Sequence, residues 1–310
     1  MKFRKILPFI GILIFAYLIF KIGLDKILGS ILSANIYLLI LALLFSFIAL
    51  IPPIIKWMVV LRSQNIMLNF WTLFRIDFMG IFYGSITPGR VGTFIRAYYL
   101  RDKIKKPLGA CISSVVVDKM LDLLAMGVFA VIGSILLLNK ISGLFTAVFI
   151  AFILLFGTFI FFLNKKRSTF ILKRVWKIFI PQKFKKIALE TFNSFYGNLP
   201  KIKTIFVPFL IALISLVFAF TTVYIVAKAF SINIPYIYII TIWSLATIVS
   251  LIPITIAGLG TREAVLITLF SVFNVAATDI VAMSIVAYII SHVIPDILGW
   301  FFAIRWKYED

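Results

Sequence analysis

The feature that most limits how this chain can fold is a set of long stretches with no charged residue. Leu38–Ile55, Leu123–Leu138, Leu144–Leu163 and Ile205–Ala227 are built from Leu, Ile, Phe, Val and Ala. Each approaches or exceeds the ~20 residues that carry a helix across a hydrocarbon core about 30 Å thick. None alternates polar and apolar residues as a barrel strand would. The expected fold is therefore an all-α polytopic membrane protein. Composition agrees: 63% of the 310 residues are hydrophobic and the mean hydropathy is +1.14, against roughly half apolar in soluble domains.

The net charge of +20 would point to nucleic acid in a soluble protein. Here the Lys and Arg residues gather between the apolar spans, the pattern of cytoplasmic loops, so nucleic acid is not an expected partner. The one cysteine, Cys111, excludes a disulfide framework and reads as packing. The one histidine, His292, cannot build a metal site alone. The opening "MKFRK" precedes a long apolar run with no A-x-A-like cleavage site, so it reads as the start of a membrane helix. No G-x-x-x-x-G-K-[ST], H-E-x-x-H or G-x-S-x-G occurs. ATP-driven transport within the chain and metal or serine hydrolysis are not expected. We expect no enzyme activity, cofactor or metal.

Threading the spans from a cytoplasmic N-terminus gives a topology of six full crossings. They cover about 6–24, 31–57 with a kink at Pro52-Pro53, 107–138, 143–163, 204–230 and 279–306. Lys56 and Arg62 are expected in a cytoplasmic return, and Lys21, Lys26, Lys140 and Lys228 outside. The C-terminus is expected in the cytoplasm. Residues 70–100 have basic residues at both ends and are interrupted by "ITPGRVGTFIR" (Ile86–Arg96). The arm after the break is too short to cross, so the segment is expected to enter and leave on the same side as a re-entrant hairpin. Its tip carries Pro88, Gly89 and Gly92. Irregular backbone at that depth is tolerated only against protein or a watery cavity.

Residues 235–274 contain a second break, "IPITIAGLGTRE" (Ile252–Glu263), with Pro253, Gly258 and Gly260. Both breaks open on Ile-Thr, close on Gly-Thr and deliver an arginine soon after. The helices before them run in opposite directions in this topology. The expected plan is a single integral domain, 1–310, with inverted repeats at 31–138 and 204–306. Secondary transporters place substrate sites between such broken helices. The basic segment 164–203 carries eleven Lys or Arg among recurring Phe, Ile and Trp, and is expected to lie on the inner leaflet.

A charge at the bilayer centre costs about 2.5–3.5 kcal/mol on insertion scales, so each one needs a partner or a task. The candidates for binding substrate are Arg90 and Arg96 at the first break, then Asp118, Lys119 and Asp122 on the next helix. Arg262 and Glu263 follow the second break, and His292 and Asp296 stand one turn apart on the last helix. Arginine at a broken helix end suits a phosphate, which its fork holds bidentately. Internal pairing is the competing expectation: Arg90 or Arg96 with Asp118 or Asp122, and Arg262 with Glu263 or Asp296.

These motifs resemble those of the lysylphosphatidylglycerol synthase transmembrane region family, also called the UPF0104 group. The first pattern is carried by Pro88, Gly89, Arg90, Gly92, Arg96 and Asp122, the second by Pro253, Gly258, Gly260, Arg262 and Glu263. Three positions depart from it: Thr93 stands where the family carries Glu, Asp118-Lys119 replaces Glu-Arg, and His292 replaces an arginine. The resemblance implies a flippase-like protein of the cell membrane, moving a phospholipid or lipid-linked sugar with an anionic headgroup. Expected partners are therefore membrane lipids. A homo-oligomer and a lipid-modifying enzyme partner remain open, as do two other roles, an accessory scaffold for such an enzyme and a small-solute transporter.

Overall fold

The computed structural model describes residues 3–87, 89–169, 185–251, 258 and 260–306. All regular secondary structure among the described residues is helical, with no strand among them. Helices α1 (Phe3–Ile22), α2 (Leu24–Ser33) and α3 (Ile36–Ala49) come first. Gly23, at φ 98°, separates α1 from α2. The second span begins at Ile36 instead of near residue 31, because the Asn35 side chain accepts from the amides of Tyr37 and Leu38 and fixes the start there. Helix α4 (Ile51–Ser63) continues α3 after an irregular residue at Leu50. The break precedes Pro52-Pro53, whose missing N–H groups leave carbonyls of the preceding turn without partners.

Next come α5 (Phe70–Ser85), a 3₁₀ turn (Val91–Phe94) and α6 (Ile95–Ile104). They form the first hairpin. A Cβ on Gly92 would lie 1.9 Å from the Tyr83 carbonyl oxygen, and one on Gly80 would lie 2.4 Å from the Arg96 Cγ. Only glycine lets the two arms approach that closely. Thr93 lies over Gly84 in the same contact. At about 1.5 Å per residue, neither arm reaches the roughly 30 Å of a hydrocarbon core.

Helix α7 (Leu108–Leu136) is 29 residues long, and α8 (Leu144–Leu163) is almost unburied, with a mean hydropathy of 2.6. Phe149, Ile150, Ile153 and Leu154 point outward from α8, so it is a rim helix suited to lipid. Helix α9 (Lys185–Gly197) covers the start of α7, where the Thr191 carbonyl meets Gly109. The expected interfacial helix thus has a described part in α9, while its middle, 170–184, lies outside the described residues.

Helix α10 (Phe206–Ala229) leads into the second hairpin, α11 (Tyr236–Ser250) and α12 (Thr261–Phe270). The chain ends with α13 (Ala277–Tyr288), a π turn (Ile289–Val293) and α14 (Ile294–Arg305). Among the described residues four stretches are long and apolar enough to cross a membrane: Ile36–Ser63, Leu144–Leu163, Ile202–Ala229 and Ala277–Arg305. Helix α7 has the length but carries three charges in its middle.

Packing between the halves is reciprocal. The first arm of hairpin one, α5, packs chiefly on α14, which follows hairpin two. The first arm of hairpin two, α11, packs chiefly on α7, which follows hairpin one. Helices α3 and α4, before the first hairpin, pack on α10, before the second. At the first of these crossings a Cβ on Gly299 would lie 2.1 Å from the Phe78 carbonyl oxygen.

Candidate functional site

The expected site residues separate into two groups. The first is closed. Lys56 on α4 is 1% exposed and meets two carboxylates on α7, Asp118 at 3.0 Å and Asp122. Arg96 on α6, also 1% exposed, meets Asp118 at 2.7 Å and Asp77 on α5. Lys119 reaches Asp122 at 3.0 Å. The Arg96 guanidinium lies 4.5 Å from the ring centre of Trp57, a cation–π contact, and the Trp57 indole donates to Ser114 at 3.4 Å. Three cations thus face three carboxylates. Buried charges persist only when paired, and this set pairs internally while clamping the hairpin to α4 and α7.

Two members of this group escaped the sequence reading. Lys56 was expected in a cytoplasmic return with Arg62; Arg62 is exposed, but Lys56 is fully buried. Its neighbours Ile54, Ile55, Trp57, Met58, Val59 and Val60 are all apolar, which marks an intramembrane charge more strongly than a loop. Asp77 in "FRIDFMG" carries the same signal. Nothing in the sequence marks Trp57 as the surface under Arg96.

The second group lies where the two hairpins meet the last helix. Glu263 is fully buried and gathers donors. The Gly260 amide donates to it at 2.7 Å, the Ser284 hydroxyl at 2.7 Å, and the Arg262 guanidinium at 2.7 and 3.1 Å. The first of these caps α12. Gly260 holds φ 81° and Gly258 φ 76°, both left-handed and suited to glycine. Arg262 lies between Trp243 and Tyr288, with ring centres 5.8 and 5.1 Å away. The Tyr288 ring touches that of His292 at 5.1 Å.

Arg90 enters this group from the opposite hairpin. One of its guanidinium nitrogens stands 3.1 Å from His292 Nε2. Arginine only donates, so Nε2 accepts and the ring proton sits on Nδ1. Asp296, one turn on, accepts from Ser85 at 2.9 Å. Arg262 and Asp296 are within electrostatic reach of Arg90. Arg90 itself is partly buried and holds φ 56°, a left-handed conformation uncommon outside glycine and asparagine. Among the described residues no carboxylate lies within ion-pair distance of Arg90, whereas Lys56, Arg96, Lys119 and Arg262 each have one. The expected pairing of Arg90 or Arg96 with Asp118 or Asp122 is met by Arg96, which takes Asp118; Arg90 joins neither carboxylate, and Lys56 and Lys119 take Asp122. Pro88 and Pro253 fall outside the described residues. No cluster of three metal-ligating side chains is found among those described.

The family model for the lysylphosphatidylglycerol synthase TM region matches residues 8–299. The chain belongs to this family. Three archaeal relatives, each named a UPF0104 membrane protein, are similar along their length. That of Methanocaldococcus jannaschii is 27% identical, covering 95% of this chain and 92% of the relative. One from Methanothermobacter thermautotrophicus is 24% identical over 96% and 92%, and that of Pyrococcus horikoshii 21% over 96% and 95%. This member of the family is a multi-pass integral membrane protein. Of the residues that carry the family resemblance, Arg96 and Asp122 belong to the closed network. Arg90, Arg262 and Glu263 belong to the group between the hairpins.

Proposed function

We propose that this protein translocates a lipid with an anionic headgroup, a phospholipid or a lipid-linked sugar, across the cell membrane. The observation that carries the reading is Arg90, a cation at a broken helix tip with no described carboxylate to neutralise it. An intramembrane charge left open in this way is expensive and suits a visiting anion. A guanidinium offers a phosphate two parallel donors. Arg262, on the other hairpin and already tied to Glu263, adds positive field without competing for the same geometry. The left-handed backbone at Arg90 fits a side chain held in place for a task.

The reciprocal packing of the halves supports an inverted repeat, in which the two hairpins approach one site from opposite faces. The headgroup passes between the tips while its tails remain in lipid, past the sparsely covered rim. Asp118, Lys119, Asp122 and Arg96 then serve to hold the first hairpin, and Arg90, Arg262 and His292 meet the substrate.

Reconstitution into liposomes tests this. Fluorescent phosphatidylglycerol in the outer leaflet is followed by its protection from a membrane-impermeant quencher. The wild-type protein should exchange it faster than empty liposomes do, and Arg90→Ala should lower the rate at least tenfold while melting at the wild-type temperature. Exchange unchanged in a folded Arg90→Ala protein overturns the reading. No exchange by the wild-type protein, together with recovery of a stable lipid-modifying enzyme in pull-downs, would favour the scaffold role instead.

A further inference from the structure

A second cationic site lies at the base of the first hairpin, away from the group between the tips. A cavity of about 610 Å³ is lined by Tyr98, Arg101, Asp102, Lys105, Lys106 and Pro107. We propose that it binds the phosphate of a membrane-lipid headgroup.

The charge favours an anion. Among the described lining residues three cations face the cavity against one carboxylate, and that carboxylate is engaged, since Asp102 accepts from the Trp306 indole at 3.1 Å. The Lys106 ammonium is anchored to the Asn65 carbonyl at 3.2 Å, which holds one cation in place before any ligand arrives. Lys105 occupies the position just after α6 at φ 52°. Helices commonly end there on a glycine, which takes that conformation without strain. A lysine at this point places a charge at the cavity where local backbone preference argues against one.

The surroundings favour a lipid as the source of the anion. Trp306 packs edge-on against Tyr99 at 5.3 Å and carries the Lys103 ammonium 4.8 Å over its ring. Aromatic rings and cations gathered in this way mark the level of the membrane–water boundary. Tyr98, 59% exposed, offers a ring face beside the cavity. The ten residues of α6 rise about 15 Å, half of a hydrocarbon core about 30 Å thick. A lipid phosphate at the boundary would therefore stand at this cavity, with Arg90 further along the same arm toward the centre. Service as a loading station for transport rests on the function proposed above; occupancy of the cavity does not.

Detergent-solubilised protein titrated with dioctanoyl phosphatidylglycerol, with tryptophan fluorescence as readout, tests the inference. Phosphatidylglycerol should bind at least tenfold more tightly than phosphatidylcholine, and less tightly as salt rises. Arg101→Gln with Lys105→Gly should weaken that binding tenfold or more without lowering the melting temperature, because glycine suits the backbone at 105. Asp102→Asn should tighten it several-fold, a gain that misfolding cannot imitate. Equal affinity for the two lipids, or affinity unchanged in the double variant, overturns the proposal. So does full displacement of the lipid by an equal concentration of inorganic phosphate, which identifies a site for soluble anions. Made on an Arg90→Ala background, the double variant should lose the same component of phosphatidylglycerol binding, so a failure of transport and a failure of the cavity are read separately.

Discussion

Replacing Lys56 by Met removes one cation from a balanced set of six charges. Its ammonium is 3.0 Å from Asp118, contacts Asp122 and donates to the Asp118 carbonyl at 3.3 Å. Breaking a buried pair by deleting one partner typically costs about 3–5 kcal/mol, because the other charge stays buried without compensation. Asp118 keeps Arg96 at 2.7 Å, and Asp122 keeps Lys119 at 3.0 Å. The loss should therefore fall at the lower end, about 3 kcal/mol. Neutralising a carboxylate as well should return part of it. Lys56→Met with Asp122→Asn restores the balance of charges, and the pair should show a coupling of about 1–3 kcal/mol in a double-mutant cycle. The assay is thermal unfolding in detergent of the wild type, both single variants and the double variant. Strictly additive losses, or a Lys56→Met protein as stable as wild type, would refute the reasoning. Either result would mean that the six charges do not act as one balanced unit.

Arg96→Lys should destabilise nearly as much as Arg96→Ala, roughly 3 kcal/mol, because a lysine cannot span Asp77 and Asp118 with a planar fork; melting temperatures of the two variants decide this. Gly299→Ala drives a Cβ to 2.1 Å from the Phe78 carbonyl oxygen and should cost several degrees of melting temperature. Gly157→Ala on α8, with nothing within 4 Å of the new Cβ, should be neutral; similar melting points for the two glycine variants would contradict the packing of α5 on α14. Glu263→Gln weakens acceptance from Gly260, Ser284 and Arg262 together, and a loss of about 1–3 kcal/mol is expected by the same unfolding assay. Cys111, fully buried, should resist maleimide until the protein unfolds, and rapid labelling of the folded protein would show the packing around this part of α7 to be open.

The sequence alone determined the solvent and the class of fold. Uninterrupted apolar stretches such as Leu144–Leu163 have no stable state in water and only one in lipid, a helix that satisfies its own backbone. It also marked both interruptions, since glycine at 89, 92, 258 and 260 lies between α5 and α6 and between α11 and α12. Local composition carries such information because a helix break is a property of a few adjacent residues.

What the tertiary structure decided was partnership. Arg90 and Arg96 are six residues apart and look alike in sequence. The fold sends Arg96 into Asp77 and Asp118, and turns Arg90 toward His292, 202 residues away. Lys56 gains its partners only when α7 brings Asp118 and Asp122 beside it. Whether a charge is neutralised depends on distances of a few ångströms between segments far apart in the chain. Spacing along one segment carries no record of them, and here they separate the arginine paired with two carboxylates from the arginine that has none among the described residues.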